Sequence, residues 1–546
     1  MQRYHGFVVP SILNRYIIFG LCWLLAVIAL ILVVDTGRYW VPLGIFLGLG
    51  LLGLYDIVQT RHAVLRNYPV IGHARYLFES VRPELRQYLF ENDSDKVPFS
   101  RVQRSLVYQR AKNEPDQRPF GTLQDVYQRG YEFIGHSVRP APVADPKTFR
   151  VTIGNDQCSQ PYSASVLNVS AMSFGSLSAN AIRALNRGAS LGGFCHDTGE
   201  GSVSPYHMEN GGDLVWQIAS GYFGCRTEAG LFDPEKFAAR AASPQIRMIE
   251  LKLSQGAKPG HGGILPGHKV SAEIAAVRGV PEGVDCISPA SHPSFDTPIG
   301  MLHFLAELRR LSGGKPVGFK LAIGHPWQFM SIVKAMLATG IVPDFVVVDG
   351  SEGGTGAAPV EFTDHIGVPM REGLLFVHNT LVGVGLRHRV RVGVSGKIIS
   401  AFDMARVFAI GADWANSARG FMFAIGCIQS LHCHTNKCPT GVATQDKLRQ
   451  RSLVVPDKAD RVAAFHRHTL GALAEMLAAA GLSHPSELGP QHLAQRVSSS
   501  EIQLLSQLHV FLKPGELLDP PESASTSFYH RSWSLAQAES FDVLPS

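Results

Sequence analysis

Charge is scarce in this chain of 546 residues. Asp, Glu, Lys and Arg supply 17% of it against 45% hydrophobic residues, which excludes a disordered polyelectrolyte and a highly charged coiled coil. Neither sign dominates, since 50 basic residues face 45 acidic ones. No basic stripe marks any stretch, so nucleic acid is not an expected partner. Collagen-like repeats are missing too, although 54 glycines and 33 prolines punctuate the chain. Five of the eight cysteines, Cys22, Cys158, Cys195, Cys225 and Cys286, stand singly, which argues against a secreted disulfide framework. There is no Walker sequence and no G-x-G-x-x-G between a strand and a helix, so a mononucleotide cofactor is favoured over NAD(P). The length allows roughly three to four domains, or one large α/β barrel of about 250 residues with additions.

Two long apolar runs stand near the start. Tyr16 to Val34 and Tyr39 to Tyr55 carry no charge over 19 and 17 residues, close to the ~20 that cross a bilayer as a helix. The turn Asp35-Thr36-Gly37-Arg38 leads directly from one to the other, whereas a signal peptide would end its apolar region at a small-residue cleavage site. Neither run has a polar face, which disfavours a buried pair in a soluble core. Residues 1–67 therefore read as a transmembrane hairpin. Arg3, Arg15, Arg61 and Arg66 flank it and only Arg38 lies in the turn, so both ends, and the domain that follows, are expected on the cytoplasmic side of the inner membrane. Residues 68–150 read as a connecting region packed on the main domain, with a helix near Ala74 to Glu91. After Gln445 one helix is expected at Ala459 to Ala480, and beyond Pro514 the Ser-rich composition predicts loose order.

The middle, residues 151–445, alternates short β-branched runs with helical patterns. Strands are expected at Val166 to Val169, Phe194 to Cys195, Val215 to Ala219, Met248 to Leu253, Val317 to Leu321, Phe345 to Val348, Val390 to Val394 and Trp414 to Ala415. Eight units predict an α/β fold of the (β/α)8 barrel type, with Val284 to Ile287 in an inserted loop; a doubly wound open sheet is the alternative. Small or functional clusters follow several strands, as barrel active sites require. Among them the run Asp349-Gly350-Ser351-Glu352-Gly353-Gly354-Thr355-Gly356 can bring several backbone N–H groups to one anion. A structural turn is the competing reading of such a loop. Ser395-Gly396-Lys397 and Ser417-Ala418-Arg419 after the next two strands strengthen the phosphate reading.

Cys427, Cys433 and Cys438 form C-x5-C-x4-C followed by Pro439. Thiolates so spaced suit an iron–sulfur cluster, a three-iron one in particular, since no fourth cysteine is near. Zinc is the rival, because His432 or His434 would complete a Cys3His set, and uncommitted thiols remain a third reading.

From Ser170 to Gln445 the chain resembles the FMN-binding synthase domain of glutamate synthases. The motifs that carry the resemblance are Ala171-Met172-Ser173-Phe174-Gly175-Ser176, Asp197-Thr198-Gly199-Glu200-Gly201, Leu253-Ser254-Gln255-Gly256-Ala257-Lys258-Pro259-Gly260, Leu265-Pro266-Gly267, Gly353-Gly354-Thr355-Gly356-Ala357 and Cys438-Pro439-Thr440-Gly441-Val442-Ala443-Thr444-Gln445. It implies a (β/α)8 barrel holding FMN and a 3Fe-4S cluster, with Cys427, Cys433 and Cys438 as cluster ligands. Met172, Ser173, Gln255 and Lys320 are implied near the flavin, and Gly353, Gly354, Thr355 and Gly356 with Gly396 and Lys397 near its phosphate. Lys258 and Arg278 are implied as holding the carboxylates of the oxo acid, with Glu200 beside substrate and flavin.

The implied activity is reductive amination of 2-oxoglutarate by ammonia to L-glutamate, with ferredoxin or a separate reductase subunit as electron donor. The family's glutaminase and carboxy-terminal β-helical domains are not expected in this chain. Two other functions compete: a flavin and iron–sulfur oxidoreductase acting on another oxo acid or amine, and an electron-transfer or scaffold subunit without substrate turnover. Where the family pattern has Glu and then Gln, this chain has His261 and Ile264. That departure predicts weaker binding of 2-oxoglutarate, with Arg278 as the anchor.

Overall fold

The computed structural model describes residues 11–60, 62–91, 98–520 and 527–543. They form two compact units, residues 1–95 and 96–546. The stretch expected as one connecting region, residues 68–150, is thus divided: its first part joins the hairpin unit and residues from 98 on join the barrel unit.

In the first unit, α1 (Ser11–Thr36) and α2 (Trp40–Val58) pack side by side. Both are long and apolar enough to cross a membrane. Glycine brings them together, because a Cβ on Gly50 would lie 2.9 Å from the Trp23 ring and one on Gly53 only 2.8 Å from Phe19 Cε2. Close backbone approach through small residues is how apolar helices associate without a hydrophobic drive between them. Their outward faces remain apolar and open, as at Leu24, Ile31, Val41 and Val58. After a short helix, Ala63–Asn67, the helix Gly72–Leu85 is tied back through Asp56, which accepts from Val70 N at 2.9 Å and contacts His73 Nε2 at 2.9 Å. Of the basic residues used to orient the hairpin, Arg3 and Arg61 lie outside the described residues.

The second unit is built on a closed barrel of eight parallel strands. They are β1 (Leu167–Val169), β2 (His196–Asp197), β3 (Leu214–Ile218), β4 (Ile246–Lys252), β5 (Val317–Leu321), β6 (Phe345–Asp349), β7 (Arg391–Ser395) and β8 (Trp414–Ser417). Each pairs with the next, and Ala415 opposite Leu167 closes β8 onto β1. The open-sheet alternative is thereby excluded. The second strand lies two residues beyond its expected place. Between β4 and its helix Pro298–Leu311 the chain makes an excursion carrying the helix Ala272–Arg278 and a small hairpin, Ile264–Leu265 against Cys286–Ile287. The strand expected near Val284 belongs there.

Strand alternation divides the barrel interior into two layers. Cys195, Val215, Met248, Val347 and Trp414 form the lower, apolar one, plugged from below by Ile153 and Ala164 of an antiparallel ribbon. Two residues further along the same strands and on the same face stand Asp197, Gln217, Glu250, Asp349 and Asn416. The carboxyl end of the barrel is therefore polar by construction. Outside, the helix Val455–Ala479 packs on Ala179–Gly192 and on Arg101–Ala111. A Cβ on Gly188 would meet Val462 Cγ1 at 2.4 Å. Among the described residues after Pro514, Phe528–Leu535 is a helix that buries Tyr529, and Lys334 Nζ donates to the Ala536 carbonyl at 2.8 Å, more order than the composition suggests for this part.

At the amino end of the barrel, fully buried Asp344 accepts from Arg309 Nη2 at 3.0 Å and from the backbone of Asn155 and Val317, both at 2.8 Å. Removing one member of such a pair strands a buried charge, at a cost of about 3–5 kcal/mol. Asp344→Ala should lower the thermal midpoint of the full chain by that equivalent. Asp156→Ala, which breaks an exposed pair with Arg389, should lower it far less, because solvent screens such a pair; equal losses in the two variants would refute this account of the barrel floor.

Candidate active site

A cleft of about 710 Å3 opens at the carboxyl ends of the strands. One wall is the loop after β6 with the turns after β7 and β8: Gly353, Gly354, Thr355, Gly356, Gly396, Lys397 and Arg419 all line it. Glycine is required here by space. A Cβ on Gly354 would fall 2.3 Å from Arg419 Nη2, and one on Gly256 would fall 1.7 Å from the Gly350 carbonyl. Lys397 holds a left-handed backbone, φ 52°, a conformation that costs a non-glycine residue energy and is kept where the surroundings enforce it. The wall thus combines exposed peptide groups with two cations, the chemistry of a phosphate cradle.

The floor is the polar layer of the barrel. Lys320 is 6% exposed, with its ammonium 3.3 Å from Asp349 Oδ2. Burial opposes its charge, but Asp349, Glu250 and Asp197 together outweigh burial and raise its pKa. Asp197 and Glu250 are themselves pushed up, by burial first; for Asp197 the Glu250 charge adds to it, while Lys320 pulls both back. Gln217 Nε2 donates to Glu250 Oε1 at 2.6 Å.

On the opposite wall, Glu200 Oε2 accepts from Lys252 Nζ at 3.0 Å, and the same ammonium donates to Gln255 Oε1 at 2.8 Å. Burial pushes the Glu200 carboxyl up, but Lys252 and, behind it, Arg278 and Lys258 hold it below the usual carboxylate range. Lys258 is 6% exposed, and burial lowers its pKa. Of the residues singled out from the sequence, Ser173, Glu200, Gln255 and Lys320 line the cleft with the glycine loops. Met172 is half-buried against the barrel core, and Lys258 stands behind Glu200. Arg278 lies outside the cleft wall, with Nη2 donating to the Phe174 carbonyl at 3.0 Å. Ile264 is 46% exposed on the excursion hairpin and does not line the cleft. Sequence reasoning missed Lys252, Gln217 and Glu250. The inward alternation of β3 and β4 was the signal that could have found them.

The three cysteines follow the short helix after β8. Among the described residues no three His, Cys, Asp or Glu side chains converge closely enough to hold a metal ion. The loop is nonetheless folded around its thiols. Gln429, Leu431 and Asn436 all have left-handed backbones. Burial raises Cys427 to about 11 and also raises Cys433. At Cys438 burial is outweighed by the peptide N–H groups of Ala443, Thr440 and Val442 and the Thr440 hydroxyl, which lower its pKa. Arg419 and Lys269 supply positive charge, and Lys269 Nζ donates to the Cys433 carbonyl at 2.7 Å. Irregular backbone, thiols within electrostatic reach of one another and nearby cations are features that suit thiolate ligation.

Together these features define a barrel enzyme with an anion cradle, a lysine–carboxylate centre and a cysteine loop at one mouth. Residues 142–483 match the family model described as the conserved region in glutamate synthase. The chain belongs to that family and is an oxidoreductase of the glutamate synthase type. It is 37% identical over 498 residues to the glutamate synthase large subunit-like protein YerD of Bacillus subtilis (strain 168), covering 84% of this chain and 94% of that one. An archaeal-type glutamate synthase (NADPH) of Thermotoga neapolitana is 34% identical over 316 residues, covering 57% of this chain and 59% of that protein. The corresponding figures for the archaeal glutamate synthase (NADPH) of Methanocaldococcus jannaschii are 35%, 57% and 58%. The chain therefore spans about three fifths of the length of these two relatives. A solved mutant flavocytochrome b2 with pyruvate bound is 14% identical, with 81% of this chain and 90% of that chain covered, at a TM-score of 0.38, too low to add to the barrel assignment.

The raised carboxyls of Asp197 and Glu250 have a consequence for stability. They hold protons in the fold at a pH where ordinary carboxyls, near 4, have ionised, so the folded state binds more protons than the unfolded one. This contribution is full below the unfolded pKa and is lost as pH rises through the raised folded values. Glu250→Gln removes one of the pair and should flatten the fall of the thermal midpoint as pH rises above about 4; an unchanged slope would show that the pair is not protonated.

Proposed function

We propose that the barrel mouth binds FMN, that Cys427, Cys433 and Cys438 hold a 3Fe-4S cluster, and that the chain aminates 2-oxoglutarate reductively to L-glutamate. The observation that carries this reading is the pairing, across one cleft, of a glycine and cation cradle with the Lys252–Glu200–Gln255 centre. In it, Gly353, Gly354, Thr355, Gly356, Gly396 and Lys397 hold the cofactor phosphate, and Met172, Ser173, Gln255 and Lys320 border its ring. Bound reduced FMN would supply the reducing equivalents for the imine that ammonia forms with the keto carbon, and the cluster would relay electrons to it from a ferredoxin or a separate reductase subunit.

The chain's own side chains bind and orient. Lys252 and Lys258 offer ammonium groups to the carboxylates of the oxo acid. Glu200, kept ionised by its lysine neighbours, accepts an N–H of the incoming ammonia and turns its lone pair toward the keto carbon. Arg278 acts behind Glu200, reinforcing its ionised form. The buried, charged floor keeps this arrangement rigid with little reorganisation during reaction.

Anaerobic mixing of the reduced protein with 2-oxoglutarate and ammonia together should reoxidise the flavin, and each alone should not. A different oxo acid that reoxidises it faster would replace 2-oxoglutarate in this reading. Lys258→Ala should raise KM for the oxo acid roughly ten- to a hundredfold, the equivalent of one charge-assisted hydrogen bond of about 1.5–3 kcal/mol. Cys433→Ala should abolish the cluster's absorbance and paramagnetic signal while FMN stays bound; zinc in place of iron after anaerobic purification would overturn the cluster assignment.

The hairpin, in the same proposal, anchors the enzyme in the inner membrane with the barrel in the cytoplasm. Its apolar outward faces and the basic residues at its two ends support this. Protease added to intact spheroplasts should leave the barrel uncut, and digestion there would reverse the orientation.

A further inference from the structure

A second cleft, of about 680 Å3, lies on the outer wall of the barrel beside the helices Pro234–Ala241 and Ala272–Arg278. Four cations line it, Arg226, Lys236, Arg240 and Arg278, and no carboxylate does. Lys236 is engaged with Asp233 at 3.3 Å and with the Arg226 carbonyl at 2.9 Å. Asp233 in turn caps its helix by accepting from the Glu235 and Lys236 peptides.

The three guanidiniums are different. Among the described residues none of them is in an ion pair: Arg240 donates to the Val203 carbonyl and Arg278 to that of Phe174. Arg226 and Arg278 both lie within 5.5 Å of the Phe223 ring centroid. Their Nε atoms are buried with no hydrogen-bond partner, and so is Ser202 Oγ. That hydroxyl touches the cleft wall, since a Cβ on Gly224 would fall 1.8 Å from it. Ser202 also holds a left-handed backbone, φ 72°, as does Tyr222, φ 46°.

Guanidinium groups that no carboxylate faces leave donors open to an anion, which would gain charge-assisted hydrogen bonds from them. Guanidinium groups match oxyanions of phosphate geometry better than any other side chain does. The rest of the wall is apolar, with Val203, Met208 and Val277 among its residues, so an inorganic ion would leave most of the space unused. We propose that this cleft is a second ligand site, for an organic phosphate whose phosphoryl group lies on Arg226 and Arg240 and whose apolar part lies on the wall. The site does not depend on the reaction at the barrel mouth. Arg278 nevertheless links the two, because its charge also acts on Glu200.

The test is a calorimetric titration of the FMN-loaded full chain in detergent with AMP and with inorganic phosphate. Saturable AMP binding at least tenfold tighter than phosphate is expected. It should weaken at least tenfold in Arg240→Gln. Ala239→Glu places a carboxylate at an exposed position of the cleft wall without removing any arginine, and should weaken binding equally even if Arg240→Gln unfolds. Absence of saturable AMP binding, equal affinity for AMP and phosphate, or unchanged affinity in Ala239→Glu would each overturn the proposal.

Discussion

A single buried ammonium organises the mouth of this barrel. Lys320 stands on β5 where the interior changes from apolar to polar, with Asp349 at 3.3 Å and Glu250 and Asp197 within electrostatic reach. A charge so buried persists only when it is compensated, and a compensated cluster breaks badly when one member is lost. Burial, opposed by the charge of Lys320, raises the pKa of two of these three carboxyls, Asp197 and Glu250. The strands must therefore meet in a fixed register, because a slip of one residue would carry these groups to the outer face and put apolar side chains in their place.

That layer is also where the sequence was least legible. β6 is apolar up to its final Asp349, and β5 and β7 are apolar apart from Lys320, Arg391 and Ser395, so all three read directly as strands. β2 consists of His196 and Asp197, and its apolar neighbours Phe194 and Cys195 drew the expected strand two residues early. Propensity favours the apolar pair, whereas pairing with β1 and β3 selects the polar one. Lys252 and Glu250 share β4 with Arg247 and four apolar residues, and a reading by composition passes over them. Recognising them needed the inward alternation of β3 and β4 to be followed from residue to residue rather than their composition. The glycine loops were legible because their chemistry is local: within each of the turns after β6, β7 and β8 the residues that make the cradle are neighbours in sequence. The helix Phe528–Leu535 was missed for the opposite reason, since the polar composition around it conceals the few side chains, Tyr529 foremost, that dock it.

The cysteine loop shows a similar dependence on distant residues. Its left-handed backbones at Gln429, Leu431 and Asn436 are held in place from outside: Tyr108 donates to the Cys427 carbonyl at 2.7 Å and Lys269 to that of Cys433. Arg419 stands between this loop and the cradle, donating to the Thr355 carbonyl at 3.3 Å while its charge acts on Cys427 and Cys433. One guanidinium thus faces both the glycine loop and the cysteine loop. Charge placed in either site is felt in the other through it, at a range where low dielectric makes the effect large.

The two walls of the cleft cannot move independently. Asp349 Oδ2 accepts from Gly256 N at 2.9 Å and pairs with Lys320, while Oδ1 accepts from the Ser395 hydroxyl. One carboxylate therefore ties the loop after β4, which carries Gln255 and Lys258, to β5 and to β7. The contact is tight enough that only glycine fits at position 256, where a side chain would meet the Gly350 carbonyl. A loop so pinned gives up freedom to move and gains a fixed distance between the lysine–carboxylate centre and the phosphate cradle. Chemistry that depends on a small substrate lying at a set distance from a bound ring needs that trade, because misplacement by about 1 Å can cost a hundredfold in rate.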